Sequence, residues 1–155
     1  MEKFEFDYFE AFSRNIGWIT DSEKQILRTK KVAIAGLGGV GGVHLLTLCR
    51  LGVSRFHIAD FDSFDLPNFN RQAGATVSTL KQSKFEVMRR MALDINPQAE
   101  ITGFPNGIDE NNIEEFLDDV DIYVDSLDFF AFSFRELVFQ KCYEKKIPAT
   151  TAGPL

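Results

Sequence analysis

An amide, a guanidinium, a second amide and an ammonium, at Asn68, Arg71, Gln72 and Lys84, follow closely on a glycine-rich segment and an acidic loop. The glycine segment is Lys31-Val-Ala-Ile-Ala-Gly36-Leu-Gly38-Gly39-Val-Gly41-Gly42, and the acidic loop is Asp60-Phe-Asp62-Ser-Phe-Asp65. Gly36, Gly38 and Gly41 have the spacing that permits a tight turn, close backbone approach to phosphate and close packing of a helix on a strand. Asp60 follows at about the 20-residue offset expected of a carboxylate that holds ribose hydroxyls. That much suits any nucleotide seated at a helix N-terminus. The residues from Asn68 onward narrow the chemistry. A nicotinamide enzyme holds its pyrophosphate on backbone N–H groups and has no task for Arg71. An enzyme that breaks a triphosphate must stabilise charge moving onto the leaving pyrophosphate, which arginine does as a fork and lysine as a point charge.

Regular elements must carry these groups. Val32-Ala-Ile-Ala35 is an unbroken apolar run, as a strand buried on both faces requires. A helix over roughly 40–51 follows, with Gly52 as its stop, and Phe56-His-Ile-Ala59 reads as the next strand, ending in Asp60. Phe85, Met88, Ala92 and Ile95 recur at helical spacing, so Lys84 stands near the start of a helix that ends at Asn96-Pro97. Strands are expected near 31–36, 54–60, 99–104, 121–126 and 147–151. Helices are expected near 40–51, 80–95, 110–118 and 133–145. Such alternation predicts an α/β fold, a parallel sheet with helices on both faces and its site at the carboxyl ends of the strands. Asp125 and Asp128 fall at one such end, Asp128 as a functional carboxylate and Asp125 equally well as a loop carboxylate or cap. Residues 1–30 form an aromatic-rich helical arm, with Thr20 and Glu23 spaced as a capping box. Residues 31–155 form the nucleotide-binding domain.

Taken together, Gly36-Leu-Gly38-Gly39-Val-Gly41, Asp60-Phe-Asp62, Asn68-Phe-Asn70-Arg71-Gln72, Lys84 and Asp125-Ser-Leu-Asp128 resemble the adenylation domain of the ThiF/MoeB/HesA family, from about Arg14 to the last residue. That family includes the ubiquitin-activating enzymes and the tRNA threonylcarbamoyladenosine dehydratases. The resemblance implies a Rossmann-like sheet with ATP over the glycine loop at Gly36, Gly38, Gly39 and Gly41. Asp60 would take the ribose hydroxyls, with Asp62 and Gln72 beside the nucleotide. Asn68, Arg71 and Lys84 would address the phosphates, and Asp128 would bind Mg²⁺. Arg14 resembles an arginine that reaches into a partner subunit's site, which implies a homodimer. Two departures stand out: Phe129 replaces the usual asparagine after the metal-binding aspartate, and relatives continue beyond this point, which implies a domain incomplete at its C-terminal end.

The implied activity is an ATP-dependent adenylyltransferase that turns a carboxylate into an acyl-adenylate. Its acceptor would be the C-terminus of a ubiquitin-like sulfur-carrier protein, with tRNA, as in the dehydratases, or a peptide as alternatives. Two other classes are kept. An NAD(P)-binding oxidoreductase accounts for the glycines and Asp60 but leaves Arg71 and Lys84 idle. A catalytically silent nucleotide-binding module accounts for Phe129 and the short chain.

Bulk properties agree with one cytoplasmic domain. The 155 residues are enough for a single core, and the formal charge of −6 disfavours a broad nucleic-acid footprint. No apolar run approaches a membrane span, and the N-terminus lacks the layout of a signal peptide. Cys49 and Cys142 are read as buried thiols, and His44 and His57 as packed or surface side chains rather than bases. The phenylalanines concentrated at 4–12 and 129–139 are expected to pack the arm and the last helix. Ile113, Phe116 and Leu117 mark the acidic segment around them as an amphipathic helix.

Overall fold

The computed structural model describes residues 5–128 and 130–152. Five strands, β1 (Lys31–Ala35), β2 (Arg55–Ala59), β3 (Glu100–Phe104), β4 (Ile122–Asp125) and β5 (Ala149–Thr151), form one sheet in the order β3-β2-β1-β4-β5. Every pairing is parallel. Strand order reverses between β1 and β4, so a crevice opens beyond the carboxyl ends of these two strands. The helices are α1 (Tyr8–Ala11), α2 (Asp21–Thr29), α3 (Gly39–Leu51), α4 (Lys84–Ile95), α5 (Ile113–Phe116) and α6 (Phe132–Lys145).

The period-two geometry of a strand splits the apolar run of β1 between two cores. Val32 and Ile34 pack with Phe56, Ile58, Leu45, Cys49 and Met88 on the α3–α4 face. Ala33 and Ala35 pack with Phe116, Tyr123, Val138 and Cys142 on the α5–α6 face. Both faces are therefore covered, and β1 is buried throughout. The N-terminal arm is fastened at its far end. Thr20 and Glu23 complete the expected capping box of α2, and the buried Tyr8 hydroxyl donates to Gly52 O at 2.6 Å.

Three details depart from the expected pattern. Helix α4 starts at Lys84 rather than near 80, because Thr76–Thr79 close a separate turn in which the Thr79 hydroxyl donates to Gly74 O at 2.6 Å. Ser83 caps α4 instead, its hydroxyl accepting the Glu86 N–H. Helix α5 is a single turn, although Ile113, Phe116 and Leu117 are buried as expected. The aromatics at the start of α6 do not pack: Phe132 and Phe134 are 68% and 50% exposed, because α6 meets the sheet through Val138 and Cys142, one turn apart. Phe4 and Phe129 lie outside the described residues.

Candidate functional site

The glycines after β1 fall into two groups with different physical reasons. Gly36 has φ +85°, donates to Ala59 O at 2.8 Å, and a Cβ there would stand 2.3 Å from Ser126 O. A Cβ at Gly41 would stand 1.8 Å from Gly36 O. These two residues let α3 and the β4 loop close on the end of β1. Gly38 and Gly39 have no such internal requirement. A Cβ on either would come no nearer than 3.4 Å to any neighbour, Gln72 Nε2 for Gly38 and Arg71 Cγ for Gly39, which is ordinary contact. What a side chain at Gly38 or Gly39 would fill is the open cradle between the loop and the Arg71–Gln72 segment. Gly38 is also the N-cap of α3 and supplies no side-chain cap. The first-turn N–H groups therefore keep their donors and the positive end of the helix dipole for an outside anion.

One wall of the cradle is built around Asp60. Its Oδ2 accepts the Leu37 N–H at 2.7 Å and its Oδ1 accepts the Asp62 N–H at 2.8 Å, so this carboxylate locks the glycine loop to the end of β2. Burial raises the Asp60 pKa; the two N–H bonds and the nearby Lys84 charge oppose that rise. Lys84 is itself buried at the first turn of α4, and its Nζ lies 3.1 Å from Asp62 Oδ2. The ammonium has three donors and Asp62 takes one of them. Asn68 organises the next turn: its Oδ1 accepts the Asp65 N–H, and its carbonyl accepts the Gln72 N–H. That turn delivers Arg71, exposed and bonded to Pro67 O and Asn70 Oδ1, beside Gly39. It delivers Gln72 beside Gly38, with Gln72 Oε1 buried and unpartnered.

The opposite wall is the loop after β4. Asp125 is wholly buried and both its oxygens are filled. Oδ1 accepts from the Tyr123 hydroxyl and the Leu127 N–H, and Oδ2 from Arg135 Nε and the Thr151 hydroxyl. Of its two readings, the structural one holds. Ser126 lies against Gly36 and Gly41, its buried hydroxyl without a partner. Asp128 is exposed, with Oδ1 accepting the Phe130 N–H at 3.0 Å. No group of three or more His, Cys, Asp or Glu side chains able to hold a metal occurs among the described residues. A lone, accessible carboxylate nonetheless fits Mg²⁺, which takes one or two carboxylates, keeps waters and completes its shell with substrate phosphates. The cradle fits a phosphate chain in the same terms: outward N–H groups, the Arg71 guanidinium and, at Ser126, a buried hydroxyl in want of a partner.

Two expected residues stand apart. Arg14 is exposed on a short turn, and neighbouring Asn15 donates to Arg50 O at the far end of α3, about 18 Å along the helix from the glycine loop. Within one chain it does not join the site. His57 is buried with Nδ1 2.8 Å from Phe116 O, and both thiols are buried with pKa values pushed up to about 12 for Cys49 and about 11 for Cys142, so none is a base or nucleophile. Sequence reasoning missed Ser126, Arg135 and Thr151. Ser126 sits inside the quoted Asp125–Asp128 segment, so its place in the loop was the available signal. Thr151 meets Asp125 because β5 pairs with β4, and Arg135 meets it because α6 packs on the sheet.

With this geometry in hand, comparison with known proteins gives a consistent result. The ThiF family model matches residues 12–155. The tRNA threonylcarbamoyladenosine dehydratase of Bacillus subtilis is 33% identical over 138 residues, 88% of this chain and 54% of the relative. The molybdopterin-synthase adenylyltransferase of Escherichia coli is 28% identical over 132 residues, 85% of this chain and 52% of the relative. The chain thus spans about half the length of these relatives. Among solved structures, E. coli tRNA N6-threonylcarbamoyladenosine dehydratase in complex with ATP superposes with a TM-score of 0.87 at 23% identity, covering 94% of this chain and 60% of that one. This likeness establishes the Rossmann-like fold.

Proposed function

This chain belongs to the ThiF family, and we propose from that premise that it activates a carboxylate by ATP-dependent adenylyl transfer. The observation that carries the proposal is the pair Gly38–Gly39, glycines whose Cβ positions meet no clash within the fold, lying beside Gln72 and Arg71. A dinucleotide uses such a loop but not the guanidinium over it. A triphosphate whose pyrophosphate departs uses both.

In this proposal the acceptor carboxylate oxygen attacks the α-phosphorus and the bond to the pyrophosphate oxygen breaks, leaving an acyl-adenylate and pyrophosphate. No proton has to move, so the protein positions groups and stabilises charge. The α3 N–H groups and Arg71 take the phosphates, Asp60 the ribose, and Lys84 directs its remaining donors at the leaving group. Asp128 would hold Mg²⁺, which draws charge from the phosphate oxygens when bound. The acceptor class follows the adenylyltransferase relatives: the C-terminal carboxylate of a ubiquitin-like or sulfur-carrier protein. The 33% identity to the Bacillus subtilis dehydratase favours one second reading, in which a ureido-type oxygen on tRNA is the nucleophile. Among the described residues no helix is long and apolar enough to cross a membrane.

ATP-dependent exchange of labelled pyrophosphate, with each candidate acceptor added in turn, tests the proposal. Exchange is expected with one acceptor. No exchange with any acceptor, or a thermal stabilisation by NAD equal to or larger than that by ATP and Mg²⁺, refutes it.

A further inference from the structure

The exposed Asp128 needs something to aim it. Within its loop the bonds are local: Phe130 N–H to Asp128 Oδ1, Ala131 N–H to Asp128 O, and Leu127 N–H to Asp125 Oδ1. The side chain that reaches in from a regular element is Arg135 of α6. Its Nε donates to Asp125 Oδ2 at 2.7 Å, and its second terminal nitrogen donates to Leu127 O at 2.6 Å and lies 3.5 Å from Asp128 O. One planar fork therefore joins a wholly buried carboxylate at the end of β4 to the two carbonyls on either side of the Asp128 Cα. Arg135 also cancels the Asp125 charge, which leaves Asp128 as the loop's net negative group.

Resting on the adenylyl-transfer reading, we propose that Arg135 is a positioning residue, holding the Asp128 carboxylate where the cation of a metal–triphosphate is received. It touches neither nucleotide nor acceptor and acts through Leu127 O and Asp128 O. Lysine cannot replace it, because a point ammonium can pair with Asp125 or reach Leu127 O but lacks the fork that does both in one plane. The sequence offers no hint of this, since Asp125 and Arg135 are joined by the placement of α6 on the sheet.

The test uses four variants of the full protein: Arg135→Lys, Asp128→Asn, the two combined, and Thr151→Val. Calorimetric binding of ATP with Mg²⁺, binding of ATP with EDTA, melting temperature and pyrophosphate exchange are measured on each. Arg135→Lys is expected to keep the Asp125 ion pair and a near wild-type melting temperature. It should weaken ATP binding in Mg²⁺ about tenfold, raise the Mg²⁺ concentration for half-maximal exchange by a similar factor, and leave binding in EDTA unchanged. The double variant should be no worse than Asp128→Asn alone, because the two substitutions remove one function. Thr151→Val removes a bond to the same Asp125 oxygen without touching the loop, so it should lower the melting temperature and leave the Mg²⁺ requirement alone. Arg135→Lys with a wild-type Mg²⁺ requirement, or losses that add fully in the double variant, overturns the proposal. A wild-type protein that binds ATP with Mg²⁺ but never exchanges pyrophosphate refutes the adenylyl-transfer reading instead, and the binding arm still decides the role of Arg135.

Discussion

Gly39→Ala and Gly41→Ala differ by one methyl group two residues apart, and the two should fail in opposite ways. At Gly41 the added Cβ would meet the Gly36 carbonyl oxygen at 1.8 Å. Relief needs a backbone shift of more than an ångström at the join of β1 and α3, since Gly41 lies within α3 and Gly36 is tied to the end of β2 by its N–H to Ala59 O. Overpacking that moves backbone destabilises by about 1–3 kcal/mol or more, and a clash this deep belongs at or above the top of that range. Against a total stability of about 5–15 kcal/mol, that is a large fraction. At Gly39 the nearest atom is Arg71 Cγ at 3.4 Å, on a flexible side chain, and the residue opens α3. Alanine there gains about 0.4–1 kcal/mol by restricting the unfolded chain. It also stands in the cradle and keeps a phosphate from the first-turn N–H groups. Losing one hydrogen bond to a charged group is worth about 1.5–3 kcal/mol, or about 10- to 150-fold in Kd. Urea unfolding gives the stabilities and calorimetry with ATP and Mg²⁺ gives the affinities. Gly39→Ala should be at least as stable as wild type and bind poorly, whereas Gly41→Ala should be strongly destabilised. A Gly39→Ala protein that binds ATP normally, or is destabilised as much as Gly41→Ala, refutes the division between structural and ligand-facing glycines.

Stability should fall in two stages as pH drops. Burial holds His57 below its ordinary 6.5, so the unfolded chain takes up that proton first; the contribution is complete above about pH 6.5 and declines below it. Hydrogen bonds from Arg55 and from Lys145 and Lys141 hold Asp119 and Glu114 below their ordinary values, so their contribution is lost as pH falls through about 4, while Asp60, whose pKa burial raises, blunts this second stage. Urea midpoints from about pH 8 to about pH 2 should show both stages in wild type and only the second in His57→Gln. For Arg14, mixing inactive Arg14→Ala and Lys84→Ala proteins should restore pyrophosphate exchange to about a quarter of wild type, as expected of random two-fold dimers with one intact site in each mixed pair. No restoration, or a protein that sediments as a monomer at micromolar concentration, removes the action in trans.

What the sequence disclosed was whatever local periodicity could carry. β1, α3 and β2 follow from an apolar run, a glycine stop and a second run, and those three elements alone bring Asp60 under the glycine loop. The turn that presents Arg71 and Gln72 was legible as residue types but not as geometry, because Asn68 sets it through two bonds to Asp65 and Gln72. The start of α4 was misplaced for a related reason: Phe85 and Met88 give the period but not the cap, and the preceding residues are committed to the Thr79 turn. The wall built on Asp125 was the least legible. Tyr123 reaches Asp125 from two residues away in β4, but Thr151 and Arg135 come from a neighbouring strand and a helix, and no spacing in the chain announces contacts fixed by strand order and helix packing.

The charges of the crevice explain why its two walls are built so differently. Lys84 is paired with Asp62 and Arg135 with Asp125, each pair in or near the buried interior, where an isolated charge is poorly tolerated. Arg71 faces the glycine loop opposite the locked Asp60. What remains unbalanced is Asp128, exposed and negative, at the rim where a triphosphate would bring further negative charge. Two like charges would repel there, so the arrangement favours a phosphate chain only when a divalent cation stands between it and Asp128. The dipole of α3 and the guanidinium of Arg71 would act on the phosphates directly, from a wall fixed by backbone. In the proposed reading the carboxylate wall would work through an intervening ion whose position tolerates little error. On that reading, one wall would need glycine and the other an arginine fork behind it.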